Sequence, residues 1–215
     1  MGAAKVLDWL FPRRCPFCGQ VNLSDLPCEN CQKTLPWLLG PSARSHVEHI
    51  DDTFSALGYR GAVRDAVLAM KFGKKLSRAK PLGVLAAQCA HDRLPEDFDL
   101  ISWPPLSAKR LRQRGFDQGE RLAGEVAKSR GGKAARLFVK EDRPAQSGIA
   151  DAAQRRANVL GAYRLLRGEA AEGKSVLLVD DVVTTGATLS ECARVLRLAG
   201  ARRVCAVTVA KAGVD

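Results

Sequence analysis

The sequence predicts an open, mostly parallel α/β sheet preceded by a small cysteine-rich unit. From about residue 50 onward, helix-like and strand-like segments alternate, as in βαβ units that build a parallel sheet. Val176, Leu177, Leu178 and Val179 form an unbroken apolar run, expected of a strand covered on both faces. Residues 11–37 are instead rich in Cys, Pro and polar side chains and show no apolar period, so they cannot bury a core of their own. The expected division is therefore residues 1–49, a cysteine-rich domain and linker, and residues 50–215, the α/β domain.

Each element follows from local pattern. After a loop holding Gly40, Pro41, Ser42, His46 and His49, the stretch TFSALGY (53–59) alternates like a strand, and residues 62–70 read as a helix. Residues 81–90 suit a helix with Pro81 near its first turn. Residues 99–103 suit a strand that Pro104 and Pro105 must end. In 118–130, Leu122, Ala123, Val126 and Ala127 mark one helical face, and Gly131 and Gly132 stop it. Short strands are expected at 136–139 and 162–166. Leu189, Cys192, Ala193, Leu196 and Ala199 then recur at helical spacing until Gly200, and residues 204–209 give another buried strand.

A chain of 215 residues, 46% hydrophobic and 27% charged, has the composition of a globular protein and not of a disordered one. The early run VLDWLF is short, contains Asp8 and runs into Pro12, Arg13 and Arg14, unlike a signal peptide. No window approaches the roughly 18 apolar residues of a membrane span. A cytoplasmic protein is expected.

Cys15 and Cys18, then Cys28 and Cys31, form two C-x2-C pairs separated by nine residues. Each pair can turn two thiolates toward one ion, and tetrahedral sulfur ligation is what Zn2+ prefers. A structural zinc ribbon is the expectation, because metal binding can stabilise a unit that has no core. Paired disulfides and a redox site are the rivals, and four thiolates also suit an iron–sulfur cluster. His46 and His49 have the i, i+3 spacing for a second ion or are simply solvated. Cys89, Cys192 and Cys205 fall at apolar positions and read as core.

The net charge is +11, and it is unevenly spread: residues 105–167 hold 15 Lys/Arg against 6 Asp/Glu. An anionic ligand or polymer is implied beside the bland reading of a solvated surface.

The densest chemistry is VLLVDDVVTTGATL, residues 176–189. In open α/β sheets ligands bind at the carboxyl ends of strands, where Asp180 and Asp181 are expected. The loop with Thr184, Thr185, Gly186, Ala187 and Thr188 leads into a helix, and helix N-terminal N–H groups with threonine hydroxyls form an anion cradle. Two carboxylates beside a phosphate would repel it unless they accept hydrogen bonds from vicinal hydroxyls or metal-bound water. A ribose 5-phosphate meets both demands. No Walker A lysine precedes the hydroxyl residues, and no G-x-G-x-x-G follows a strand.

This stretch closely resembles the phosphoribosyl pyrophosphate (PRPP) signature of type I phosphoribosyltransferases. With CPFCG after FPRR, MKFGKK, PPLSAKRLRQRGFDQ and the RRAN of residues 155–158, the chain resembles the competence protein F family (ComF/GntX-like) over almost its whole length. The resemblance implies a sheet of the type I phosphoribosyltransferase fold behind the zinc ribbon, and PRPP bound together with Mg2+. It implies that Asp180 and Asp181 hold the ribose hydroxyls, that residues 184–188 wrap the 5-phosphate, and that residues 104–110 form a loop whose Ser107 and Lys109 serve the pyrophosphate. Arg114 carries charge toward a mobile flap, so Asp180, Asp181, Lys109 and Arg114 are the expected catalytic set. Lys71 either reaches the same anion or is solvated; Arg155 and Asn158 either order the flap or cap a helix. Asp117 stands where the family usually has Asn. Two functions follow: transfer of ribosyl phosphate to an unknown acceptor with release of pyrophosphate, or a PRPP sensor or single-stranded-DNA clamp working with a DNA-uptake helicase partner. Phe116 is the one aromatic residue in the basic core available for stacking on bases.

Overall fold

A computed structural model describes residues 13–22, 24–72, 76–141 and 159–214 of the chain. The expected features in Val6–Phe11's run (6–11), and at Arg155 and Asn158, lie outside the described residues.

The cysteine-rich unit contains a bridge between Arg14 and Val21 and a short helix, α1 (Glu29–Thr34). It does not stand apart, because Cys15, Cys31 and Leu35 are buried in one hydrophobic cluster with Leu82, Leu85 and Ala86 of the α/β body. Within the expected linker, β1 (Arg44–Ser45) pairs antiparallel with β2 (Asp52–Gly58) and forms the edge of the main sheet.

Helix α2 (Gly61–Phe72) buries Val63, Ala66, Val67 and Met70, an i, i+3, i+4, i+7 stripe. Helix α3 (Ala79–Arg93) carries Pro81 in its first turn, where the missing N–H costs nothing, and buries Leu82, Leu85, Ala86, Cys89 and Ala90. Strand β3 (Leu100–Ser102) stops before Trp103, Pro104 and Pro105. Helix α4 (Ala108–Arg114) has Ser107 as its N-cap, accepting from the Arg110 N–H, and left-handed Gly115 as its C-cap. Helix α5 (Gln118–Ser129) buries the expected Leu122, Ala123, Val126 and Ala127. Beyond its end, Arg130 donates to the carbonyls of Ala90, Leu94 and Glu96 and so ties it to the end of α3.

Strands β4 (Phe138–Lys140) and β5 (Tyr163–Leu165) pair antiparallel as a separate two-stranded sheet. Strand β6 (Ser175–Val183), helix α6 (Ala187–Leu198) and strand β7 (Arg203–Lys211) complete the βαβ unit. The main sheet has the order β1-β2-β7-β6-β3, with β2, β7, β6 and β3 parallel.

Alternation along the central strands sends side chains to two layers. Leu177, Val179, Cys205 and Val207 pack with the α3 and α5 side chains, while Val176, Leu178, Val204 and Ala206 pack with Leu189, Cys192, Ala193 and Leu196 of α6. Each fully buried Leu or Val contributes about 1.5–3 kcal/mol of transfer free energy, so these strands form the stable centre of the fold. Cys89, Cys192 and Cys205 are buried free thiols, and burial pushes all three upward in pKa, Cys89 to about 11. They are core residues without the thiolate character that reactive cysteines need.

Candidate functional site

Sheet polarity places the carboxyl ends of β2, β3 and β6 at one edge. There Tyr59, Pro104, Pro105 and the two adjacent aspartates line a crevice of about 250 Å³. Strand β6 does not end at Val179; it continues through Asp180 and Asp181 to Val183, with Asp180 opposite Thr208. Successive strand residues face opposite layers, so the two acids straddle the sheet end.

Asp181 lies on the α5 side and is almost fully buried. Its Oδ1 is 2.6 Å from Lys71 Nζ, and its Oδ2 accepts from Gln118 Nε2 at 3.3 Å. Asp180 is half-buried, and its Oδ1 accepts from the Asp181 N–H at 2.8 Å. Burial first, and the neighbouring Asp181 charge second, push the Asp180 carboxyl up to about 7, with Lys71 opposing.

The chain then turns through Thr184, Thr185 and Gly186 into α6. Gly186 has φ +74°, and a Cβ there would lie 3.0 Å from Val47 Cγ2, so both backbone conformation and space favour glycine. Thr185 Oγ1 accepts from the Ala187 N–H at 3.4 Å. A hollow of about 210 Å³ is lined by Asp180 and residues 182–189, and it shares Asp180, Val182, Thr184 and Thr188 with the crevice. Carboxylates and a helix N-terminus thus open onto adjoining spaces, which is the arrangement expected of an anion cradle.

Cations surround the crevice. Lys71, Arg110, Arg114 and Lys140 line it, along with Gln118 and Tyr163. The expectation treated 104–110 as a loop, but residues from 108 are helical, so Arg110 and Arg114, four apart, share one face. Lys109 is exposed off that face, and Ser107, though buried, is occupied as the helix cap; neither lines the crevice. Arg114 rests its guanidinium 5.1 Å from the Phe72 ring, its Nη1 is buried without a partner, and burial lowers its pKa. Lys140 Nζ donates to Tyr163 Oη at 2.9 Å; burial, then Arg110, lower the lysine pKa, and burial raises that of the tyrosine. Sequence reading left Arg110, Gln118, Lys140 and Tyr163 out of the site, and gave Lys71 only as one of two alternatives.

Asp117 explains how the flanking loop is held. Its Oδ1 accepts from the Gly119 and Glu120 N–H groups and its Oδ2 from the Leu106 N–H at 2.9 Å, so one carboxylate ties residues 104–106 to the start of α5. A carboxylate can accept on both oxygens, whereas an amide in this pose sets its NH2 against a second donor. Asp117→Asn is therefore expected to cost about 1 kcal/mol and Asp117→Ala about 2–3 kcal/mol in urea unfolding. Equal stability of both variants with wild type would refute the two-sided contact.

The thiol sulfurs of Cys15, Cys18, Cys28 and Cys31 all lie within 4.8 Å of one another, and among the described residues theirs is the only such cluster of three or more ligating side chains. Tetrahedral ligation with Zn–S near 2.3 Å places sulfurs about 3.8 Å apart, which fits this spacing. The cysteines are free, and Cys18 and Cys28 are 3.5 Å apart, well beyond the roughly 2.05 Å of a disulfide. Burial opposes ionisation of Cys15, but N–H groups of Cys18, Cys28 and Phe17 outweigh it and hold the thiol down to about 6. His46 and His49 are exposed and join no such cluster among the described residues. No helix among the described residues is long and apolar enough to cross a membrane.

The family model of the double zinc ribbon domain matches residues 6–44, and that of the phosphoribosyl transferase domain matches residues 118–215. The chain is 28% identical over 197 residues to DNA utilization protein YhgH of Escherichia coli K12, covering 88% of this chain and 80% of that protein. It is 28% identical over 192 residues to competence protein ComFC of Streptococcus pneumoniae, covering 88% and 77%. A solved structure of the allosteric regulatory enzyme of purine biosynthesis aligns with TM-score 0.43 and 23% identity, over 61% of this chain and 26% of that chain. A zinc ribbon with clustered cysteines, joined to a mostly parallel sheet carrying the phosphoribosyl transferase domain, defines a zinc-ribbon protein of the type I phosphoribosyltransferase fold. The similarity to these relatives runs over most of both chains, and the chain resembles the competence protein F (ComF) family.

Proposed function

We propose that the crevice binds PRPP and that the protein transfers its ribosyl phosphate to an acceptor, releasing pyrophosphate. The observation that carries this reading is the aspartate pair at the end of β6, set between a helix N-terminus and four cationic side chains. In this reading Asp180 and Asp181 accept hydrogen bonds from the ribose hydroxyls. Backbone N–H groups of residues 184–188 and the threonine hydroxyls hold the 5-phosphate. Arg110, Arg114, Lys71 and Lys140 neutralise the pyrophosphate as negative charge builds on it during loss from the anomeric carbon. Of the cations assigned to the pyrophosphate from sequence, Lys109 becomes a contributor from outside the crevice.

The hard carboxylate oxygens of Asp180 and Asp181 suit Mg2+, which would join the diphosphate in the same space and supply charge neutralisation to the leaving group. Positive carbon character at the anomeric centre makes the transition state oxocarbenium-like, as in other glycosyl transfers. In this reading the crevice walls keep the sugar oriented.

A role in competence-linked DNA uptake or in DNA utilisation, in the cytoplasm and with single-stranded DNA or a helicase as partner, rests on the names of the relatives and on the basic charge. For the clamp reading, Phe116 packs partly buried against the core, which leaves only part of its ring for stacking on a base. The enzyme reading predicts pyrophosphate release from PRPP and Mg2+ with at least one acceptor in a screen of nucleobases, nucleosides, amines and nucleic acids. Tight PRPP binding without release for any acceptor would favour the sensor, and DNA binding that weakens steeply with salt would favour the clamp.

A further inference from the structure

We propose that Lys71 is a positioning residue that transfers its charge from Asp181 to the pyrophosphate as ligand enters, and so couples recognition of the sugar to recognition of the diphosphate. The inference rests on the PRPP reading above.

Lys71 belongs to the last turn of α2, and its ammonium makes a 2.6 Å ion pair with Asp181, the two side chains being 20% and 5% exposed. Gln118 holds the other carboxylate oxygen. Because that carboxylate only accepts, the amide must present its NH2 group, which leaves Gln118 Oε1 buried and unpartnered. Asp181 is thus saturated by internal donors, while Gln118, a residue lining the same crevice, keeps a buried acceptor oxygen that has none.

A sugar hydroxyl brought to Asp181 competes with Lys71. Without an alternative partner, displacing the ammonium would strand a charge in a partly buried site, which is strongly unfavourable. A diphosphate beside Arg110 and Arg114 removes that obstacle, because the lysine stem is flexible and its head carries three donors. The exchange leaves both groups with a partner: Asp181 keeps a hydrogen bond, now from a hydroxyl, and Lys71 pairs with a phosphate oxygen. A ligand carrying both groups completes the exchange, whereas ribose 5-phosphate cannot.

The test is calorimetric binding of PRPP, ribose 5-phosphate and inorganic pyrophosphate, each with Mg2+, to wild type, Lys71→Met and Lys71→Arg. The expected result is a loss of about tenfold or more for PRPP and pyrophosphate in Lys71→Met, no loss for ribose 5-phosphate, whose competitor at Asp181 is then gone, and recovery of most PRPP affinity in Lys71→Arg. Equal losses for PRPP and ribose 5-phosphate would reduce Lys71 to a fixed neutraliser of Asp181, and unchanged PRPP affinity would also overturn the proposal. If Lys71→Met does not melt cooperatively, Lys71→Gln, which keeps a donor but no charge, serves in its place with the same expected pattern. Wild type that binds pyrophosphate through Lys71 but not PRPP would remove the sugar reading and leave the diphosphate contact standing. Wild type that binds none of the three would remove both.

Discussion

Replacing Asp180 and Asp181 together by asparagine is expected to weaken PRPP binding by about two to four orders of magnitude, since each carboxylate contributes charge-assisted hydrogen bonds of about 1.5–3 kcal/mol. The single variants should differ in kind. Asp181→Asn removes the partner of Lys71 and leaves a cation unpaired in the crevice, so it should lower stability as well as affinity. Asp180→Asn removes a carboxylate that burial and the Asp181 charge have pushed up to about 7. The sign is definite: a carboxyl whose folded value is raised above its unfolded one contributes stability that is fully present below about pH 4 and is lost as pH rises through about 7. Ligand-free Asp180→Asn should therefore be no less stable than wild type at pH 8, a case of stability given up for function. In wild type, the ionised form is the acceptor for a hydroxyl, so PRPP affinity should increase from pH 6 to pH 8. The ligand's own phosphate also titrates in this range, and Asp180→Asn isolates the protein's part because its profile should be the flatter one. Calorimetry across that range, with thermal melts of each variant, decides the matter; undiminished affinity in the double variant would sink the assignment of the site.

How much of this could be read in advance depended on whether the deciding interaction was local. The buried strand from Val176, the helix marked by Leu189 and Leu196, and the α5 face at Leu122 and Val126 were legible because burial on a regular element writes its period into the sequence. The turn from β6 into α6 at residues 184–186 was legible because its small and hydroxylated residues stand in sequence order around Gly186. Helix α4 was not: its residues 108–114 bury no side chain, so no apolar period marks it, and only Ser107 and Gly115 hint at its ends. Taking that segment for a loop put weight on Lys109 together with Arg114, whereas helical geometry turns Arg110 to the crevice beside Arg114. Strand β1 has only two residues and takes its place from pairing with β2, a contact no local window contains. Lys71, Gln118, Lys140 and Tyr163 reach one crevice from four elements. Each alone is an ordinary polar residue of a helix or short strand; only the fold makes them neighbours. Asp117 could be noticed as a departure from the family pattern, but its consequence required seeing that both oxygens are used.

Stripping the metal from the ribbon is expected to have the largest effect on stability. Four cysteines in a unit with little apolar surface depend on the ion, and structural Zn2+ supplies about 10–16 kcal/mol of apparent binding free energy in isolated zinc-finger peptides. The purified protein should carry close to one zinc at this cluster. Cys31→Ser should release it, because a closed four-thiolate site has no spare ligand. The loss should not stay in the ribbon: Cys15, Cys31 and Leu35 lie in the same buried cluster as Leu82 and Leu85, so loosening it uncovers part of the α3 face. A drop of roughly 3–5 kcal/mol or more is anticipated, the usual scale for opening a well-packed apolar contact together with its metal anchor. Cys89→Ser provides the contrast, since it changes a buried thiol without touching metal content. Elemental analysis alongside thermal unfolding of both variants makes the comparison. Iron in place of zinc would replace the ribbon by a cluster site, and a metal-free protein that melts like wild type would show that packing on α3 alone holds the cysteine unit in place.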